Sequence, residues 1–257
     1  MNSAYKRTKA FVLSIVLFFG ALFIIGCFVL GIKNLCSAFQ GYETPINRVY
    51  TKEKKVALTF DVAWGSENIE EILDILDKHK AKATFFLVGS WVDDNEELVK
   101  EIHNRGHEIG NHSNTHSSFP DISNNKQKIE EIISTGNKIE DLIGEKTNLF
   151  RPPFGKIDKD TMNTCKSLGY YTIKWDVDSG DWKNIGPLHV VDRVSKNTSS
   201  GSIILFHANV RDVGTYLEDT LTNLEKKNYS MVTVSDLIYK DNYKINSLGE
   251  QSFQEDD

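Results

Sequence analysis

Between residues 56 and 237 the chain switches repeatedly between a strand-like and a helix-like hydrophobic pattern, and that alternation leaves few folds open. Residues 56–61 and 83–88 are short apolar runs of strand length. Between them, Ile69, Ile72, Leu73 and Leu76 recur at helical spacing. Asp93 and Glu96 form a capping pair for a helix carrying Leu98, Val99 and Ile102, which Gly106 stops. Ser123 opens a longer helix ending at Gly144, and Asp158 caps a short one closed by Gly169. Residues 170–175 and 202–206 read as strands around a helical stretch at 188–194. A long helix at 213–227, a strand at 231–234 and a short helix complete the series. Strands alternating with helices require a parallel α/β sheet or barrel, whose chemistry sits beyond the carboxyl ends of the strands. No internal repeat or second domain is visible, and the polar tail at 240–257 is expected to be disordered.

Composition narrows the reading further. A hydrophobic fraction of 40% with 26% charged residues is that of a globular protein, and a formal net charge of −6 argues against nucleic acid as a partner. Of the three cysteines only Cys165 lies in the body, which therefore holds no internal disulfide and relies on core burial. Cys165, beside Met162 and Leu168 on an apolar face, is expected to be one of the buried residues.

The first forty residues stand apart. Residues 1–9 carry Lys6, Arg7 and Lys9 without an acid, and residues 10–32 form a 23-residue uncharged apolar run. About 20 residues cross a bilayer as a helix. This predicts a single-pass signal anchor in the cell membrane, with the basic flank inside, a linker at 33–53, and a domain at 54–239 outside. Two alternatives keep the domain outside: cleavage at Cys36-Ser37-Ala38, or lipoprotein processing at Cys27.

Five strand ends deliver polar chemistry. They carry Asp61; the run Asn111-His112-Ser113-Asn114-Thr115-His116; Arg151-Pro152-Pro153-Phe154-Gly155; Asp176-Val177-Asp178-Ser179-Gly180-Asp181-Trp182; and His207. Singly, each has a plain reading: two surface histidines, a rigid turn, a capped loop, a hydrogen-bonded core histidine. His112 and His116, four residues apart, share one side if their segment is helical. Their recurrence where an α/β fold keeps its site is what carries weight. His79, His103 and His189 read as surface or packing residues, His107 as structural, and Trp64 as either a site wall or a plug under the first loop.

The order of these motifs over residues 54–237 resembles the polysaccharide deacetylases with a NodB-homology domain, also called carbohydrate esterase family 4. The resemblance implies a distorted (β/α) barrel and metal-dependent removal of acetyl groups from cell-wall polysaccharide, peptidoglycan being the nearest glycan. It implies Asp61 as general base, Arg151 holding that base, and His112 with His116 as metal ligands. It further implies His207 as general acid with Asp181 as its carboxylate partner. Pro153, Phe154 and Trp182 become walls of the sugar groove, and Leu205 the contact for the acetyl methyl. The metal expected is zinc, with cobalt or nickel also suited to two imidazoles.

One position departs from the pattern. The family carries a second aspartate after the base as the third metal ligand, and here that residue is Val62. Three outcomes are open: a metal held by two histidines and solvent, another acid such as Glu67 or Asp61 swinging in, or a catalytically dead site that only holds glycan. The opening Thr59-Phe60-Asp61-Val62-Ala63-Trp64-Gly65 resembles the PdaB-type branch associated with sporulation, in which an apolar residue takes this place.

Overall fold

In the first long strand, β2 (Lys55–Val62), successive side chains point to opposite faces of the sheet, and the sequence sorts them accordingly. Val56, Leu58, Phe60 and Val62 join the large apolar cluster formed with the helices. Ala57 faces the other way, into a smaller cluster with Phe86, Leu149, Ile173 and Ile203. On the helix side Phe60 stacks between Phe85 and Phe206, with ring centroids at 5.0 and 5.5 Å. The structure, a computed structural model, describes residues 44–254. The apolar run at 10–32 and most of the expected linker lie outside the described residues, and among the described residues no helix is long and apolar enough to cross a membrane.

Around β2 the chain winds α1 (Ile69–Lys78), β3 (Ala83–Leu87), α2 (Gly89–Asp94), α3 (Glu96–Asn104), β4 (Glu108–Asn111), α4 (Asn125–Ile143), β5 (Leu149–Phe150) and α5 (Lys159–Ser167). Then follow β6 (Tyr171–Thr172), β7 (Val177–Asp178), α6 (Pro187–Asn197), β8 (Ile203–His207), α7 (Val213–Lys226), β9 (Ser230–Val232) and α8 (Val234–Leu237). The strands pair in the order β6-β5-β4-β3-β2-β8-β7, with β9 beside the start of β2, and every pairing in this sheet is parallel. The ladder is open between β6 and β7 among the described residues, so the sheet is a curled, incomplete barrel with its helices outside.

Several local expectations need correction. Most of the tail is ordered: β10 (Tyr243–Ile245) and β11 (Glu250–Phe253) form a second sheet with β1 (Arg48–Val49), a strand inside the stretch expected to be linker. Gly201 lets β1 approach, since a Cβ there would lie 1.7 Å from the Val49 carbonyl oxygen. Asp93 does not cap α3, whose N-cap is Asn95; it lies inside α2 and pairs with Lys138 at 2.6 Å. The long helix is capped by Asn124, whose side chain accepts from the Lys126 amide, not by Ser123. The expected strand at 170–175 is two residues long; Asp176, expected at a strand end of the site, instead accepts from the Ser202 hydroxyl and the Ile203 amide at the start of β8, and only Asp178, on β7, reaches the cavity.

Candidate active site

Register places the first two groups. On the β2–β8 ladder Asp61 stands opposite His207 and, two residues earlier on each strand, Thr59 opposite Leu205, so all four side chains share one face of the sheet. Asp61 is buried, and burial alone would raise its pKa. The fully buried guanidinium of Arg151, with Nη1 donating to Asp61 Oδ1 at 2.7 Å, outweighs that burial and holds the carboxyl below its ordinary range. Arg151 is itself fixed by donation to Thr59 Oγ1 (2.9 Å) and the Lys174 carbonyl (3.0 Å), and it lies 4.1 Å over the Phe86 ring. Gly110 makes room for that ring, since a Cβ at 110 would come within 2.5 Å of it.

His112 and His116 do meet, with ring centroids 5.0 Å apart, but not on a helix. The chain leaves β4 at Asn111 and turns through left-handed backbone at Ser113 (φ 69°) and His116 (φ 57°). Glu131 on α4, a residue the sequence analysis did not single out, braces this loop by accepting from the amides of Asn114 and Thr115 and from the Thr115 hydroxyl. His112 Nδ1 lies 2.8 Å from the Arg151 carbonyl oxygen, which assigns its proton to Nδ1 and leaves a lone pair on Nε2. Burial keeps both imidazoles neutral, His116 being held down to about 4. His112 Nε2 faces Asp61 Oδ2 at 3.4 Å, lone pair toward carboxylate, an approach that favours a positive charge between them. The donor set therefore fits a divalent ion through two imidazoles. A third protein ligand is absent: no group of three His, Cys, Asp or Glu side chains among the described residues forms a metal site. Val62 is fully buried on the helix face, and Glu67 is turned to the Ser66 amide rather than into the site.

His207 and Asp181 form the second charged pair, with Nδ1 to Oδ1 at 2.9 Å. Burial pulls the His207 pKa down, but the hydrogen bond and charge of Asp181 outweigh it and raise the value above the ordinary range. Asp181 also accepts from the amides of His207 and Trp182 and from the hydroxyl of Tyr216 at 3.2 Å. Sequence reading missed Tyr216, which lies on the apolar face of α7 among ordinary core residues. Tyr216→Phe removes one donor from Asp181, leaving more of its negative charge to favour the protonated imidazole, so the His207 pKa rises further. An NMR titration of the His207 ring reads this directly, and an unmoved or lowered midpoint contradicts it.

These groups open onto a cavity of about 800 Å³ lined by Asp61, His112, His116, His207 and Leu205. Its rim is aromatic: Trp64 (60% exposed), Phe154 (60%) and Trp182 (52%) present open faces, and Trp175 adds a fourth ring. Trp64 is thus a wall, its ring 4.9 Å from that of His116, which Phe154 flanks at 4.7 Å. Arg151 and Asp181 lie beneath the lining, and buried Pro153 supports the turn that lifts Phe154 rather than lining the cavity. Asn68, just before α1, donates to the carbonyls of Ala208 and Val210 and so ties down the loop that follows His207.

Comparison with known proteins agrees with this architecture. The profile of the polysaccharide deacetylase family matches residues 48–173. A peptidoglycan-N-acetylglucosamine deacetylase of Bacillus cereus is 38% identical over 207 residues, covering 79% of this chain and 94% of that protein. The chain belongs to the polysaccharide deacetylase family. Within the family it is also 36% identical over 194 residues to the uncharacterized protein YlxY of Bacillus subtilis, covering 76% of this chain and 60% of that protein's length. Among solved structures, the protein BA3943 of Bacillus anthracis, described as a pseudoenzyme of carbohydrate esterase family 4, matches with a TM-score of 0.72 and 34% identity. That match covers 76% of this chain and 68% of the other, and a mutant of the same protein is described as having restored enzymatic activity. The family's parallel (β/α) architecture is the one found here, in incomplete form.

Proposed function

We propose that this chain removes N-acetyl groups from amino sugars of cell-wall polysaccharide, with Asp61 as general base and His207 as general acid. The supporting observation is the shared rung of β2 and β8, on which a carboxylate whose pKa Arg151 lowers stands opposite an imidazole whose pKa Asp181 raises. Asp61 takes a proton from a water, whose oxygen adds to the acetamide carbonyl carbon. As the carbon–nitrogen bond breaks, His207 gives its proton to the leaving nitrogen, releasing acetate and a free amine. His112 and His116 would hold the metal, which when bound polarises the carbonyl and acidifies the water. Trp64, Phe154 and Trp182 stack against sugar faces, and Leu205 meets the acetyl methyl. The apolar run at 10–32 anchors the domain outside the cell membrane, where this glycan lies. The resemblance of residues 59–65 to the PdaB-type branch supports the envelope of a sporulating cell as the setting.

A second reading, a scaffold that binds glycan without cleaving it, is favoured by one observation: Val62 stands where the family has its third ligand, and BA3943 is described as a pseudoenzyme. Acetate release from chito-oligosaccharides and muropeptides in the presence of zinc or cobalt separates the two. The deacetylase releases acetate, and the double variant His112→Ala, His116→Ala loses on the order of 100-fold or more of that rate. Absence of acetate from every substrate, with no metal bound, leaves the scaffold reading.

A further inference from the structure

The loop after His207 carries Asn209, Val210 and Arg211 onto the rim of the site cavity. Arg211 also lines a second cavity of about 420 Å³, and Asn184 is shared between the two in the same way. These two side chains form the junction. Arg211 is exposed and makes no hydrogen bond or ion pair with any described residue, and the Asn184 side chain makes no hydrogen bond either. Every other charged group around the site is engaged. Asp61 is held by Arg151, Asp181 by four donors, and Asp178 accepts from the Gly180 amide. Lys183 lies over the Trp182 ring at 4.8 Å. Asp212, the acid next to Arg211, lines the second cavity but not the site cavity. The site therefore presents one uncommitted guanidinium, with uncommitted amides at Asn184 and, on the Arg211 loop itself, Asn209, a donor set suited to a carboxylate.

We infer that Arg211, assisted by Asn184, is a specificity-determining residue that selects an amino sugar bearing a carboxylate beside the acetamide; the inference rests on the deacetylase fold's glycan reading above. N-Acetylglucosamine and N-acetylmuramic acid differ in a lactyl ether on the ring carbon next to the one that carries the acetamide. With the acetamide at Asp61 and His207, that substituent lies against a wall of the same cavity, and its free carboxylate meets Arg211. The neutral sugar leaves the guanidinium in water and gains nothing from it.

The test is a binding measurement on the intact protein, with acetate release followed in parallel. The ligands are a tetrasaccharide with free lactyl carboxylates, the same glycan with those carboxylates amidated, the same glycan carrying stem peptides, and chitotetraose. The free acid binds about tenfold or more tighter than its amide, as expected of a charge-assisted hydrogen bond, and Arg211→Gln reduces that ratio to near one. Arg211→Lys restores part of the ratio by keeping the charge without the fork. Equal binding of acid and amide overturns the inference, as does a ratio unaffected by Arg211→Gln. Tighter binding of the peptide-bearing glycan than of the free acid also overturns it, by moving the carboxylate to the peptide. If no ligand releases acetate while the acid-to-amide ratio still depends on Arg211, the catalytic reading falls and this inference stands.

Discussion

Arg151→Met destabilises the protein by about 3–5 kcal/mol at neutral pH, the loss expected when one partner of a buried ion pair is removed. Arg151 is fully buried and Asp61 is open only toward the site cavity, so removing the guanidinium leaves a largely desolvated carboxylate without its counter-charge. The pH dependence reverses sign as well. In the native protein the Asp61 pKa lies below its ordinary 3.8 because Arg151 outweighs burial. Its contribution to stability is therefore present above that value and is lost only as the pH falls through the lower folded value. Without Arg151, burial raises the Asp61 pKa, so the folded chain binds the proton more tightly than the unfolded one. The variant is then most stable in acid and weakens as the pH rises to ionise Asp61. Urea unfolding between pH 4 and 8 gives both readings. A loss below about 1 kcal/mol, or a pH slope like that of the native protein, contradicts the assignment of Arg151 as the counter-charge.

Val62→Asp makes the chain less stable without metal and more responsive to it. Val62 has no exposed surface and packs in the helix-side cluster, so a carboxylate there costs roughly 1–3 kcal/mol even if it protonates. Zinc offsets the cost if the end of β2 turns the new carboxylate toward His112 and His116, completing the three-ligand set usual for catalytic zinc. At a hundred times its dissociation constant a bound ion contributes about 2.7 kcal/mol. The native protein, with two imidazoles, gains less at the same zinc concentration. Thermal unfolding with and without zinc reads the difference. A zinc shift in the variant no larger than the native one would falsify the idea that the missing ligand limits metal affinity.

The parts of this protein most legible in the sequence are those set by local pattern. The alternation of periods gave a parallel α/β sheet, and the position of Asp61, Arg151 and His207 just at strand ends gave their convergence. Register was not legible, because nothing local in residues 57–61 or 203–207 says which residue of β8 stands opposite Asp61. The tail was misread for a related reason: β10 and β11 are short, polar strands whose order comes from pairing with each other and with Arg48 and Val49, about 200 positions away. Tyr216 sits among core residues on the apolar face of α7, where no local pattern singles it out; only its hydroxyl, reaching Asp181, ties it to the site. Glu131 is one of several acids on α4, and its three donors come from a loop whose left-handed turns leave no periodic trace.

The common rung of Asp61 and His207 separates two kinds of change that the protein can undergo. Their spacing belongs to the backbone ladder of two central strands, whereas Trp64, Phe154, Trp182 and Arg211 all stand on connections beyond strand ends. Substitutions, insertions or rearrangements in those connections alter which polymer is gripped and leave the path of the proton at its original length. A lineage on this scaffold can therefore drift from one glycan to another in small steps, with the chemistry carried along unaltered.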